Sequence, residues 1–363
     1  MPYVTYIIKD TVVTDYRSTF EELFLQAMGQ DLDHQPYSKG FFKTRTYYTD
    51  SPYSQSIYRL KWFLSAHMDT PRDYVHFRIP KASGGTRLIE APNERLKEVQ
   101  RKIVDVLTEE YHILAHNSAY AYTRGRCAYD SLVTHQKKNA RWFLKLDIKD
   151  FFPSISKEVL KEQLPKIYPL CNADSDTIDN LIDLAVNDKG VLPQGSPLSP
   201  LLSNLVMLEF DLKFSNTIRR FNKQSYVYTR YADDMLISCP YTFKYEDIIV
   251  VVEELFREFN LPFTIARHKV RYASSAGRNW NLGLMYNHEQ KITIGSKRKK
   301  ELHSLFNSFV VEYPWDKQST RELMGKFAYL KNVEPEYADT LVNKYESKYN
   351  VNIARMFSDI LRD

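Results

Sequence analysis

Cysteine is scarce in this chain, with three among 363 residues: Cys127, Cys171 and Cys239. They lie too far apart for any zinc-ligating spacing and offer no disulfide framework, so reduced thiols in a cytoplasmic protein are expected. No apolar run reaches the length of a membrane span. The opening MPYVTYIIKD lacks the basic flank and long apolar segment of a secretion signal, so neither membrane nor export is expected. Internal repeats and low-complexity tracts are absent, which sets aside solenoids and disordered arrays. A strong charge imbalance is missing too. Fifty Lys and Arg against 45 Asp and Glu leave +5, which permits a polyanionic partner without requiring one.

An apolar fraction of 43% can bury a sizeable core and supports two or three subdomains. Aromatics reach 14%, with 26 Tyr and 20 Phe, enough to serve both a core and stacking platforms for nucleic acid. The chemistry concentrates in YVYTRYADDMLIS, residues 226–238, where β-prone runs flank Tyr231, Ala232, Asp233 and Asp234. This pattern predicts a β-hairpin with two carboxylates at its tip. Adjacent acids repel, and divalent metal ions are the usual remedy where phosphoryl transfer is the chemistry. A second acid, Asp147, sits in the apolar strand of RWFLKLDIKDFFPSI, where an unpaired charge would be costly. Asp150, at odd spacing from Asp147 along such a strand, is left out of the site.

These stretches, with VLPQGSPLSPLLSN and NLGL in the same order, resemble the palm motifs of reverse transcriptases over about residues 75–335, most closely the bacterial enzymes of retrons, diversity-generating elements and phage defence. The resemblance implies an α+β right-hand polymerase with fingers, an antiparallel-sheet palm and a helical thumb. It divides the chain into an N-terminal extension (1–70), fingers (71–140), palm (141–290, with a finger insertion around 155–190) and thumb (291–363). It implies that Asp147, Asp233, Asp234 and the Ile148 carbonyl hold two Mg²⁺ ions, with Mn²⁺ as a substitute. Phe152, five residues after Asp147, would pack against the nucleotide sugar and exclude a 2′-hydroxyl, a role for which Phe151 competes. Gln194 and Gly195 would border the nucleotide pocket. Lys269 stands where the family often has a lysine proposed to protonate pyrophosphate, and a solvated strand-end lysine is the competing reading. Lys81 and Arg87, flanking a turn at Ser83, Gly84 and Gly85, match the finger hairpin and would contact triphosphate.

Nucleic-acid contacts are expected at Arg124 and Arg126 around Gly125, at Tyr231, at Gly283 in a primer-grip-like hairpin turning at Asn287 and His288, and at Lys297, Arg298, Lys299 and Lys300. Helical stripes are expected at Leu96, Val99, Ile103, Val106 and Leu107, along Leu198–Leu212, and at Ile248, Val252, Leu255, Phe256 and Phe259. Ser196 and Ser199 read as helix caps, and a helix pair over residues 320–349 should break near Pro335. The chain then stops, leaving no room for an RNase H, integrase or endonuclease domain. The expected reaction is RNA-templated synthesis of cDNA from dNTPs, on a structured noncoding RNA in a retron or antiphage-defence setting, with a protein partner or second subunit from the same locus. Alternatives are a diversity-generating element, template-independent protein-primed synthesis, or a non-enzymatic RNA scaffold. An RNA-dependent RNA polymerase is disfavoured by Phe152 and Ala232.

Overall fold

The computed structural model describes residues 5–8, 11–14, 52–80, 84–110, 115–220 and 225–362. The candidate Lys81 lies outside them. The chain forms two compact units: Met1–Arg126, Leu146–Ile237 and Lys244–Val270 in the first, and Cys127–Lys145, Ser238–Phe243 and Arg271–Asp363 in the second. Among the described residues no helix is long and apolar enough to cross a membrane.

In the first unit, β1 (Thr5–Ile8) and β2 (Thr11–Thr14) pair antiparallel. Helix α1 spans Pro52–Ser65. Strands β3 (Tyr74–Pro80) and β4 (Thr86–Pro92) form the expected hairpin, with Gly84 and Gly85 both at positive φ. Helix α2, Glu94–Asp105, begins where the Asn93 side chain accepts from Leu96 N, and buries Leu96, Val99, Gln100 and Ile103. Side-chain caps also start α4 (Lys157–Gln163) at Ser156 and α5 (Ser175–Asp183) at Asp174. The apolar stretch after LPQG is two helices rather than one, α6 (Leu198–Val206) and α7 (Leu208–Arg220). Ser196 Oγ accepts from Leu198 N, whereas Ser199 lies within α6 and caps nothing.

Strand β6 (Val227–Tyr231) and helix α8 (Tyr245–Glu258) complete the regular elements of this unit. The stripe expected on α8 is buried from Ile248 to Phe256, and Phe259 is its half-exposed C-cap. Phe151, Phe263, Phe256, Phe210, Phe214 and Tyr228 form a chain of ring contacts through the core, with centroids 4.7–5.5 Å apart.

Helix α3 (Ala128–Gln136) belongs to the second unit. Strands β5 (Trp142–Asp147) and β7 (Asp234–Cys239) each pass from one unit to the other along the chain. With β8 (Arg271–Ser274) they complete a four-stranded sheet of order β6-β7-β5-β8, in which β5 and β8 pair antiparallel. Phe143 of the second unit packs on Trp280, Tyr286 and the fully buried His135. Burial holds His135 neutral, its pKa lowered to about 3. The β9 (Met285–Tyr286) and β10 (Ile292–Thr293) hairpin turns where Asn287 Oδ1 accepts from Glu289 N and Lys291 N. Helices α9 (Ser296–Val311), α10 (Lys317–Val333), α11 (Pro335–Tyr349) and α12 (Ile353–Arg362) follow. Pro335 occupies the first helical position of α11, where its missing N–H costs nothing.

Candidate active site

The site grows from the β6–β7 turn. Ala232 adopts φ +58, a left-handed conformation that non-glycine residues take at a cost of about 1–2 kcal/mol, so its surroundings must hold it there. Asp233 follows in the turn and Asp234 opens β7. Ile148 N donates to Asp233 O (3.0 Å), drawing the end of β5, and with it Asp147, to the turn. Asp147 and the adjacent pair Asp233 and Asp234, far from it in sequence, thus come together in the first unit.

Their mutual repulsion adds to the effect of burial on one carboxyl. The Asp233 carboxyl is pushed up to about 6, first by burial, then by the charges of Asp234 and Asp147. A cation already answers part of this charge: Lys269 Nζ donates to Asp147 Oδ1 (2.8 Å) and Oδ2 (3.0 Å). That bond raises the lysine pKa. Lys269 lies on a one-turn 3-10 helix, Arg267–Lys269, rather than at a strand end as the sequence suggested. Ala266 N, bonded to Asp147 O (2.8 Å), sets that turn beside β5.

The oxygen donors suit a hard divalent cation. Among the described residues no three Asp, Glu, His or Cys side chains are gathered around one metal point. Mg²⁺, which keeps waters and substrate phosphates as ligands, needs only one or two carboxylates. The donor set therefore fits Mg²⁺ without being a preformed cage. Asp150 stands outside β5 at φ +48, so it is set apart by a turn and not by strand alternation.

Phe151 is only 4% exposed and belongs to the ring core, whereas Phe152 is half-buried and faces Tyr122 at 6.1 Å between centroids. This separates the two competing phenylalanines. Tyr122 itself, 51% exposed, holds φ +59. Asn204 Nδ2 fixes the preceding Ala121 carbonyl at 3.0 Å. Burial and the charge of Asp233 push the Tyr122 hydroxyl pKa up, and the exposed Arg87 acts electrostatically on both Tyr122 and Asp233.

Gln194 O accepts from Glu90 N (2.8 Å), pinning the loop to β4. At Gly195, φ +127, a Cβ would stand 2.9 Å from Ile89 Cγ2 and 3.0 Å from Glu90 O, which explains the glycine. Gln100 bonds both Leu184 O and Ser196 Oγ at 2.8 Å and steadies the same loop from below.

The basic candidates divide. Arg124 is 93% exposed and pairs with Glu109 at 3.3 Å. Arg126 turns inward: it donates to the carbonyls of His116, Asn117 and Ala119 and to Asn117 Oδ1, and lies over the Tyr120 ring. Its expected nucleic-acid contact gives way to organising residues 116–120, because a guanidinium engaged in four hydrogen bonds has little left for phosphate. Tyr231 ends β6, half-buried.

Within the second unit, a Cβ at Gly283 would collide with Arg298, whose Nη1 donates to Leu282 O (3.1 Å), so the close approach that this glycine permits is made by a side chain. Lys299 pairs with Glu334 and lies over the Tyr337 ring at 4.1 Å, which directs its charge inward and corrects its expected phosphate role. Lys297 and Lys300 remain exposed on α9.

Sequence reasoning missed Tyr122, whose backbone conformation leaves no trace in composition. It also passed over Asp211, although an acid within the apolar run LVMLEFDLKF was a visible signal of a buried ion pair.

The profile of the family described as Reverse transcriptase (RNA-dependent DNA polymerase) matches residues 79–305. The retron Ec83 reverse transcriptase of Escherichia coli is 32% identical over 75% of this chain and 86% of its own length. Its retron Ec73 counterpart is 27% identical over 78% and 91%. The retron Mx65 reverse transcriptase of Myxococcus xanthus is 30% identical over 75% and 64%.

Proposed function

This chain belongs to the reverse transcriptase family and is an RNA-directed DNA polymerase of the bacterial retron type, and on that premise we propose that Asp147, Asp233 and Asp234, with the Ile148 carbonyl, form its metal-dependent nucleotidyl-transfer centre. The observation that carries this reading is the Ile148–Asp233 backbone bond, which brings acids 86 residues apart to one turn. In it the two Mg²⁺ ions, or Mn²⁺ in their place, supply Lewis-acid activation of the primer 3′-hydroxyl and charge neutralisation at the triphosphate.

The chain's own residues do the rest. Arg87, from the finger hairpin, would meet the triphosphate, with Lys81 beside it in sequence. Phe152 walls the sugar and favours deoxynucleotides, while Gln194 and Gly195 line the pocket over β4. Lys269, kept protonated by Asp147, would pass its Nζ proton to the departing pyrophosphate as the 3′-oxygen bonds the α-phosphorus. Fingers at 71–140, palm at 141–290 and thumb at 291–363, preceded by the 1–70 extension, are the corresponding subdomains. Arg124, Tyr231, Gly283, Lys297, Arg298 and Lys300 are the proposed nucleic-acid contacts.

A structured noncoding RNA is the proposed template, cDNA the product, and a retron or antiphage-defence locus in the bacterial cytoplasm the setting. The test is to purify the protein from its host and sequence the bound nucleic acid, beside a variant carrying Asp233→Ala and Asp234→Ala. RNA in both samples with cDNA only in the unmodified protein is expected. Identical RNA and no DNA in both would overturn an active polymerase on that template.

A further inference from the structure

Three residues before Asp233 lies a fully buried ion pair, Arg230 with Asp211 of α7. Arg230 Nε donates to Asp211 Oδ1 (3.0 Å) and Oδ2 (3.1 Å), and Nη2 to Oδ2 (2.6 Å). Tyr228 Oη, its own proton held tightly by burial and by Asp211, donates to Asp211 Oδ1 (2.6 Å). One guanidinium nitrogen is directed elsewhere: Nη1 donates to the carbonyl of Ala232 (3.1 Å).

The backbone of Arg230 is fixed as firmly as its side chain. Its N–H donates to Ser118 O (2.6 Å), its carbonyl accepts from Tyr120 N (2.8 Å), and Arg126 ties down that same 116–120 loop. The Ala232–Asp233 turn is therefore gripped on both sides, at Ala232 O by Arg230 and at Asp233 O by Ile148 N.

Buried ion pairs are poor sources of stability, since hydrophobic residues of similar volume often serve as well or better. Positional accuracy is what this one offers. The rigid fork of arginine can hold a carboxylate and a carbonyl at once, which a lysine ammonium on a flexible stem cannot. The carbonyl it holds belongs to a residue at positive φ, a conformation that relaxes unless something over-determines it.

We propose that Arg230, clamped by Asp211 and Tyr228, is a positioning residue for DNA synthesis, which locks the left-handed Ala232 turn so that Asp233 stays in register with Asp147. The proposal rests on the reading of Asp233 as a metal-holding acid. Its effect belongs to metal affinity and kcat, not to nucleotide recognition.

The test replaces the network by apolar groups of similar size, in the triple variant Asp211→Leu, Tyr228→Phe, Arg230→Met, and compares it with Tyr228→Phe alone and with Asp233→Asn. Mn²⁺ binding without nucleotide, followed by electron paramagnetic resonance, is measured alongside the Mg²⁺ dependence of kcat and the KM for dNTP. The triple variant should fold, bind Mn²⁺ about 10- to 100-fold more weakly, as is usual when a supporting partner of a metal ligand is lost, and lose kcat in proportion with KM little changed. Wild-type Mn²⁺ affinity and kcat in the folded triple variant would overturn the proposal. If the triple variant does not fold, Arg230→Lys carries the test, with weakened Mn²⁺ binding expected and wild-type binding overturning it. Retained activity in Asp233→Asn would instead sink the reading of the site itself.

Discussion

Asp233→Asn should make the metal-free protein more stable at alkaline pH while abolishing synthesis. In the folded chain this carboxyl is raised from 3.8 to about 6, by burial and then by the neighbouring Asp234 and Asp147 charges. An acid whose folded pKa is raised stabilises the fold below its unfolded pKa of 3.8 and loses that contribution as pH climbs through about 6. A difference of about two pH units corresponds to about 3 kcal/mol at pH 8. The asparagine carries no charge to bury, so it escapes that cost. Urea unfolding followed by circular dichroism in EDTA should find the variant more stable by up to about 3 kcal/mol near pH 8, with the gain gone near pH 4. Mg²⁺ should stabilise the parent protein at the higher pH and leave the variant almost untouched. An equal stability difference at both pH values would refute the argument that burial and the neighbouring charges penalise the Asp233 carboxylate.

Phe152→Ala should raise ribonucleotide incorporation relative to deoxynucleotide by about 10-fold or more in primer extension, because the wall facing the sugar is gone. Tyr122→Ala, removing the ring opposite Phe152, should raise the KM for dNTP with the affinity for RNA unchanged; a change in RNA affinity alone would place Tyr122 on the template instead. His135, buried with its pKa lowered to about 3, should make the second unit acid-labile: the stability present above pH 6.5 is lost as pH falls towards 3, by up to about 5 kcal/mol. His135→Leu should flatten that dependence in amide-exchange measurements on α3 and β5. Lys297→Ala with Lys300→Ala should reduce the salt slope of RNA binding by about 1–2 without lowering Tm, whereas Lys299→Ala should lower Tm through the lost Glu334 pair.

The acidic hairpin was legible because alternation and turn chemistry are local: residues 226–238 carry their own instruction to fold back at Ala232–Asp233. Stripes such as Leu96, Val99 and Ile103 were readable for the same reason, since a helix repeats its buried face every three or four residues. What a cation does was not readable. Arg124 and Arg126 look alike in sequence, and only the carbonyls of residues 116–119, brought round by the fold, make one structural and leave the other in solvent. Lys299 differs from Lys297 and Lys300 because Glu334, 35 residues away, lies within its reach. Lys269 bonds Asp147, 122 residues distant, and no pattern within either segment announces the bond.

The anchoring of the Gln194–Gly195 loop to β4 gives the nucleotide site a fixed gauge. Arg87 and Ile89 share one face of that strand, and Ile89 fills the space where a side chain at Gly195 would stand. The cation proposed to meet phosphate and the loop proposed to border the pocket are thus set about 7 Å apart along a single piece of extended backbone. Their separation cannot vary without bending the strand or breaking the Glu90–Gln194 bond. In the proposed nucleotide site the strand would then serve as a ruler, its residue spacing setting the reach from pocket to triphosphate.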